Sequence, residues 1–155
     1  MTAPTFDYYG RYFESLHEGK INFLSDPMYC MLVSSLYTPN QDIHQFLSDI
    51  SGEITASGYT TGGQQVTGVS AAYQVSGTTK LLLVSAGNMN WPSFTVDVGL
   101  PAYAILYMQP AGLPPTECPL IGYLNFEGSE NPVDEAFYIN WNATGIYGIQ
   151  IPVAG

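Results

Sequence analysis

The side chains with the capacity for chemistry are mostly carboxylates, and they gather in two places. Asp42, Asp49 and Glu53 form one group; Glu127, Glu130, Asp134 and Glu135 form the other. A glycoside hydrolase needs two carboxyl groups facing each other across a sugar cleft at a defined separation. Neither group has a spacing that singles out such a pair, so both read as solvated turn residues. Glu127 to Glu135 is rich in the oxygen ligands a hard cation takes, but it departs from the EF-hand loop order. His44 stands among Ile43, Phe46 and Leu47 with no second histidine near it, which reads as a hydrogen-bonded structural residue. Gly58-Tyr59-Thr60-Thr61-Gly62-Gly63 is glycine-rich. A phosphate-cradling loop needs a following helix N-terminus and usually a lysine. Gln64-Gln65-Val66 follows instead, in a strand-like pattern, so these glycines read as positions of positive φ or close backbone approach. Cys30 lies inside an apolar run and Cys118 just before another; they read as two buried free thiols, without metal-ligand spacing. No Gly-x-Ser-x-Gly motif is present. Asn142-Ala143-Thr144 matches a glycosylation acceptor, which has meaning only on a secretory route. The chain is therefore expected to be no enzyme and to need no metal or other cofactor.

The elements that would hold these residues are mainly strands. Phe6, Tyr9, Phe13 and Leu16 share one face of a helix predicted over about residues 6–18, closed by Gly19. Tyr8 and Tyr12 lie off that stripe. Such a helix either covers the open end of a β-core or lends its spare aromatics to an interface. Met28 to Leu36 is an unbroken apolar run between Pro27 and Pro39, as expected of a strand buried on both faces. Thr38 to Gly63 follows as a long ordered loop region, packed on the core by Ile43, Phe46, Leu47 and Ile50, with one or two helical turns within Asp42 to Ile50. Further strands are expected at 69–75, 80–85, 93–97, 103–108, 120–126, 136–141 and 146–151, separated by Gly, Pro and Asn breaks. The pattern predicts a single mainly β domain over residues 1–155. Its expected form is an antiparallel β-sandwich or flattened barrel with an N-terminal amphipathic helix.

Charge narrows the function classes. Thirteen acidic residues face three basic ones (Arg11, Lys20 and Lys80), a formal net charge of −10. A nucleic-acid footprint or an anionic membrane needs clustered Lys and Arg, so neither is an expected partner. No apolar run reaches the length of a membrane-spanning helix. The N-terminal residues lack the basic and apolar regions of a secretory signal. Only 10% of residues are charged, against roughly 25% in an ordinary domain. Much of the surface must then be neutral, as on a Ser/Thr-rich monomer or a protein partly covered by its neighbours.

Several motifs stand in order along the chain: Gly19-Lys20-Ile21 with Ser25-Asp26, the Met28 to Val33 strand, and Ser34-Ser35-Leu36-Tyr37-Thr38-Pro39. His44-Gln45-Phe46, Gly58 to Gly63, Asn90-Trp91, Pro119 to Phe126 and Ile139 to Ile146 follow. In order and approximate spacing this resembles a family of small structural proteins encoded in tailed-bacteriophage genomes. The chain departs from the pattern in the inserted Leu36 and in the Gly112-Leu113-Pro114-Pro115 loop. The resemblance implies a virion structural protein without a catalytic site. The expectation is a capsid decoration (cement) protein on the capsid exterior, assembled in the host cytoplasm. Its expected partners are the major capsid protein and copies of itself, as a homotrimer. A neck or tail component is the nearest alternative. A virion-surface carbohydrate-binding module, stacking sugars on Trp91 or Trp141, is another. The residues expected at the partner interface are Tyr8, Tyr12, Thr38, Pro39, Asn40 and Gln41. The last four stand at the start of the long loop, where a firmly held surface segment suits a contact.

Overall fold

The computed structural model describes residues 5–23, 25–128, 133–141 and 146–152. Eleven strands are assigned among them: β1 (Thr5–Tyr8), β2 (Met28–Ser34), β3 (Thr55–Ser57), β4 (Gln64–Val66), β5 (Ser70–Ser76), β6 (Thr79–Ser85), β7 (Met89–Val98), β8 (Pro101–Met108), β9 (Leu120–Asn125), β10 (Glu135–Ile139) and β11 (Tyr147–Gln150). One α-helix is assigned among the described residues, α1 (Arg11–His17), which follows β1. The strands form a five-stranded sheet in the order β1-β9-β8-β2-β4 and two three-stranded sheets, β10-β7-β3 and β11-β6-β5. All pairings are antiparallel. The arrangement is consistent with a β-sandwich, and the sheets do not close into a barrel.

The five-stranded sheet carries apolar side chains on both faces. Along β2, Met28, Cys30 and Leu32 enter one cluster; Met31 and Val33 enter another. β8 alternates the same way, with Ala104, Leu106 and Met108 on the first face and Ile105 and Tyr107 on the second. This explains the unbroken apolar run of β2: period-two alternation requires polar residues only where one face meets water. In β9 the alternation breaks at a bulge. Leu106 pairs with Gly122 and Tyr107 with Leu120, so Ile121 is the extra residue, turned into the first cluster.

The first face packs against the two smaller sheets through Val84, Met89, Trp91, Phe94, Phe137, Ile139 and Tyr147. The second face is covered by loop residues, chiefly Tyr37, Leu47, Ile50 and Cys118. Each large apolar side chain fully removed from water contributes about 1.5–3 kcal/mol, so the loop cover is part of the core.

The predicted helix over residues 6–18 is corrected. Residues Thr5–Tyr8 are instead an edge strand on β9, and the helix begins only at Arg11. Phe6 and Tyr8 satisfy a period of two as well as the helical stripe, and the free edge of β9 gains backbone hydrogen bonds from an extended segment. The core strand ends at Ser34 rather than Leu36, which is 86% exposed. Within Asp42 to Ile50 the only helical turn is a 3-10 turn at Leu47–Asp49, and Ile43 is 66% exposed rather than packed on the core. Strands β5 to β11 fall within a few residues of their expected positions.

Candidate functional site

The segment from Ser35 to Gly63 wraps the large sheet. Tyr37, Leu47 and Ile50 lie over the second face, whereas Ile54, Ala56 and Tyr59 join the first, where Thr55–Ser57 form β3 within the expected loop. Three sets of polar contacts hold the segment in place. The first is a hydrogen-bond chain. The Asn40 backbone amide donates to His44 Nδ1 at 3.2 Å, so that nitrogen is an acceptor. Tyr37 Oη, 2.8 Å away, therefore donates to the same atom. Tyr9 Oη, 2.7 Å from Tyr37 Oη, is left as the donor to Tyr37. Tyr9 and Tyr37 are both buried. Burial pushes the Tyr37 hydroxyl up to about 12, partly offset by the hydrogen bond from Tyr9. Tyr9 is raised further, by burial first and then by its hydrogen bond to Tyr37. His44 thus takes the structural role its isolation in the sequence implied.

The second set fixes the middle of the segment. Asp49 Oδ2 accepts from the amides of Gln45 and Phe46. Leu47 donates to the Cys118 carbonyl and Leu120 to the Gln45 carbonyl. Gln45 Nε2 also reaches Ser15 Oγ, at 3.3 Å, on the buried side of α1. The third set centres on Glu53. Its Oε1 accepts from Tyr59 Oη at 2.8 Å and from the Gly62 amide at 2.6 Å. Tyr59 Oη in turn accepts from the Leu32 amide, and Tyr107 Oη donates to the Gly62 carbonyl. Gly63, at φ +88°, lies so close to the Cys30 carbonyl that a β-carbon there would collide with it. The glycine-rich loop is therefore shaped for close approach to β2, as its composition implied.

The expected interface residues divide. Thr38, Asn40 and Gln41 are exposed and Pro39 is half-buried. Asn40 Oδ1 accepts from the Asp42 and Ile43 amides, closing a turn. Gln41 Nε2 donates to the Tyr8 carbonyl at 2.6 Å, and its own carbonyl accepts from the Gly10 amide. The fold thus brings the loop tip against the start of the chain, but through the Tyr8 backbone. The side chain of Tyr8 turns the other way, with Oη donating to the Gly148 carbonyl and its ring among Phe6, Phe13 and Tyr147. Tyr12 is 1% exposed and shares a hydrogen bond with Tyr147. It has no surface to offer a partner, so its place on the expected interface is corrected. Burial raises Tyr8 and Tyr12 to about 12.

The remaining candidates for chemistry are accounted for individually. Asp49 and Glu53 are committed to loop amides, and Asp42 is exposed. Glu127 and Asp134 both adopt positive φ, and Asp134 meets Thr95 and Ser93. Glu130 and the Asn142-Ala143-Thr144 triplet lie outside the described residues. Among the described residues no group of three or more His, Cys, Asp or Glu is placed to hold a metal ion. Cys30 and Cys118 are free and buried, as expected, and burial pushes the Cys30 thiol up to about 12. Trp91 is 3% exposed, among Tyr59, Phe94 and Phe137. Trp141 is half-buried, its indole N–H donating to the Gly87 carbonyl.

Sequence reasoning missed the Glu53, Tyr59 and Tyr107 lock, because Tyr107 is 45 residues from Gly62 and no local pattern turns Glu53 toward Tyr59. What the site presents is a rigid, neutral, polar loop tip at Thr38 to Gln41, fixed from beneath by tyrosines. No family model, curated protein or solved structure matches the chain, so the geometry and the residues themselves carry its functional reading.

Proposed function

We propose that the chain is a structural protein of a tailed-bacteriophage virion, and within that class a capsid decoration protein. What supports this reading is the order of the motifs from Gly19 to Ile146, which resembles that of the phage family. The anchored loop tip supports it: a decoration protein needs a preformed surface, because ordering a loop on binding costs affinity. On this reading Thr38 to Gln41 contact the major capsid protein on the head exterior. Neutral polar and apolar surface is buried across neighbouring subunits, and the acidic remainder faces solvent. Apolar burial contributes about 25 cal/mol per Å² before association costs are subtracted. Repetition over a shell makes even a small net gain per copy large.

The test is addition of the purified chain to undecorated heads of its own phage. Co-sedimentation and a raised melting temperature of the heads are expected. Replacing Thr38 to Gln41 together by Gly and Ser should weaken binding while leaving the melting temperature of the free chain nearly unchanged. No binding to heads, with binding to necks or tails instead, would move the protein to those parts of the particle.

A further inference from the structure

The β11-β6-β5 sheet ends in an edge unlike the others. Every other sheet edge among the described residues is formed by a strand of five residues or fewer; β5 has seven. All seven are exposed, including Tyr73 at 56% and Val75 at 59%. Proteins protect such edges with charges, prolines, bulges or short strands. β5, Ser-Ala-Ala-Tyr-Gln-Val-Ser, has no charge and no proline, and its register with β6 is continuous from Ser70 to Ser76.

We propose that β5 is a self-pairing edge. Two copies of the chain join antiparallel through it across a two-fold axis at Tyr73, forming one six-stranded sheet.

Three independent features favour a second copy as the occupant. The first is charge. From Ile54 to Val96 the only charged residue is Lys80, in a chain of net charge −10. Two copies of so acidic a protein meet there without setting carboxylates against each other. The second is backbone geometry. The two-residue Gly77-Thr78 turn, with Gly77 at φ +60°, sets Ser76 opposite Thr79. Alternation from that hydrogen-bonded pair leaves the N–H and C=O groups of Ala71, Tyr73 and Val75 at the free edge. In an antiparallel pair centred on Tyr73, that residue exchanges both bonds with its own symmetry mate, and Ala71 does so with Val75 of the second copy. The groups that are free are thus the groups this register needs.

The third feature is the side-chain pattern, which reads nearly the same in both directions. The register sets Ser70 against Ser76, Ala71 against Val75, Ala72 against Gln74 and Tyr73 against itself. Ala71, Tyr73 and Val75 share the face that runs through Leu82 and Val84 back to the core, with Lys80 beside Val75 at its outer end. Pairing therefore extends the Tyr73 face across the axis, while Ser70, Ala72, Gln74 and Ser76 lie on the other side beside Leu81 and Leu83.

One strand edge buries less than the roughly 800 Å² per partner of a stable complex, so the dimer is expected to be concentration-dependent in solution. Surface attachment would raise the effective concentration. The pairing differs from the homotrimer expected of a capsid decoration protein, and it does not rest on the virion reading.

The experiment is sedimentation velocity on the full chain, without heads, at concentrations up to millimolar. A monomer–dimer equilibrium is expected. Tyr73→Lys and Tyr73→Glu should each weaken association roughly tenfold or more, because the axis sets like charges together. An equimolar mixture of the two should restore the dimer, a result only a 73-to-73 contact gives. Tyr73→Cys should cross-link under mild oxidation, since Cα atoms of a hydrogen-bonded antiparallel pair are about 5.5 Å apart. The native thiols are buried and do not compete. A wild-type chain that stays monomeric at the highest concentration overturns the proposal. So does a trimer, or a Tyr73→Lys variant that still forms the wild-type dimer. Head binding is measured separately, so either reading can fail while the other stands.

Discussion

β2 and β5 are both seven-residue antiparallel strands without a charged residue, yet their surroundings are opposite. β2 has a neighbour on each side, β8 and β4, and nearly every side chain is buried. β5 has one neighbour, β6, and every side chain is exposed. The difference lies less in the strands than in what covers them. β2 has the smaller sheets on one face and a loop locked by tyrosines on the other. Nothing described covers β5. Burial is a property of the assembly of elements, and a strand without charge is stable on its own only when that assembly supplies a cover.

The largest expected effect is that of alkali, because it attacks the cover and the core of β2 together. An unfolded tyrosine ionises near pH 10. Burial holds Tyr8, Tyr12 and Tyr37 near 12 in the folded chain and raises Tyr9, Tyr59, Tyr107 and Tyr147 beyond that. Between those values the unfolded chain has lost protons that the folded chain keeps. Stability is therefore full below about pH 10 and falls as pH rises through 12. Tyrosinate absorbance and circular dichroism should change together, in one cooperative step. Smooth ionisation of these tyrosines with unchanged circular dichroism would refute this.

Next comes a direct contrast of the two strands. Leu32→Ala removes a fully buried side chain of β2 and should cost about 2–5 kcal/mol. Tyr73→Ala in β5 should change monomer stability by no more than about 0.5 kcal/mol. Urea unfolding at low protein concentration measures both, and equal losses would erase the distinction. Gly63→Ala should cost about 1–3 kcal/mol, through its left-handed φ and the collision with the Cys30 carbonyl. Its local sign is faster hydrogen exchange in β4, where the loop joins β2. The smallest loss expected within the cover of β2 is that of Tyr37→Phe. It removes the hydroxyl linking Tyr9 to His44 and should cost about 1 kcal/mol. The same loss from Tyr73→Phe would show that the chain of hydroxyls contributes nothing particular to the cover.

Much of the candidate site was readable in advance in kind but not in arrangement. His44 reads as structural because it stands alone, and the Gly58 to Gly63 loop as a place of close approach because it lacks lysine and a following helix. Tyr12 was misplaced because a helical stripe does not say which of two neighbouring cores a residue will enter. In the fold Tyr9 goes to the second face of the large sheet and Tyr12 to the first. Glu53 was grouped with the solvated carboxylates because its partners, Tyr59 and Gly62, become neighbours only when the loop closes.

The sequence by itself determined that the chain is mainly β and roughly where strands β5 to β11 begin and end, since local alternation and turn residues act over a few positions. It also determined the acidic, charge-poor surface. Only the tertiary structure decided that Thr5–Tyr8 is a strand and that the loop region is half of a core. It also decided that β5 is left uncovered while β2 is enclosed. Those outcomes depend on which backbone edges and apolar faces are still unfilled once distant segments have paired, and no local pattern carries that information.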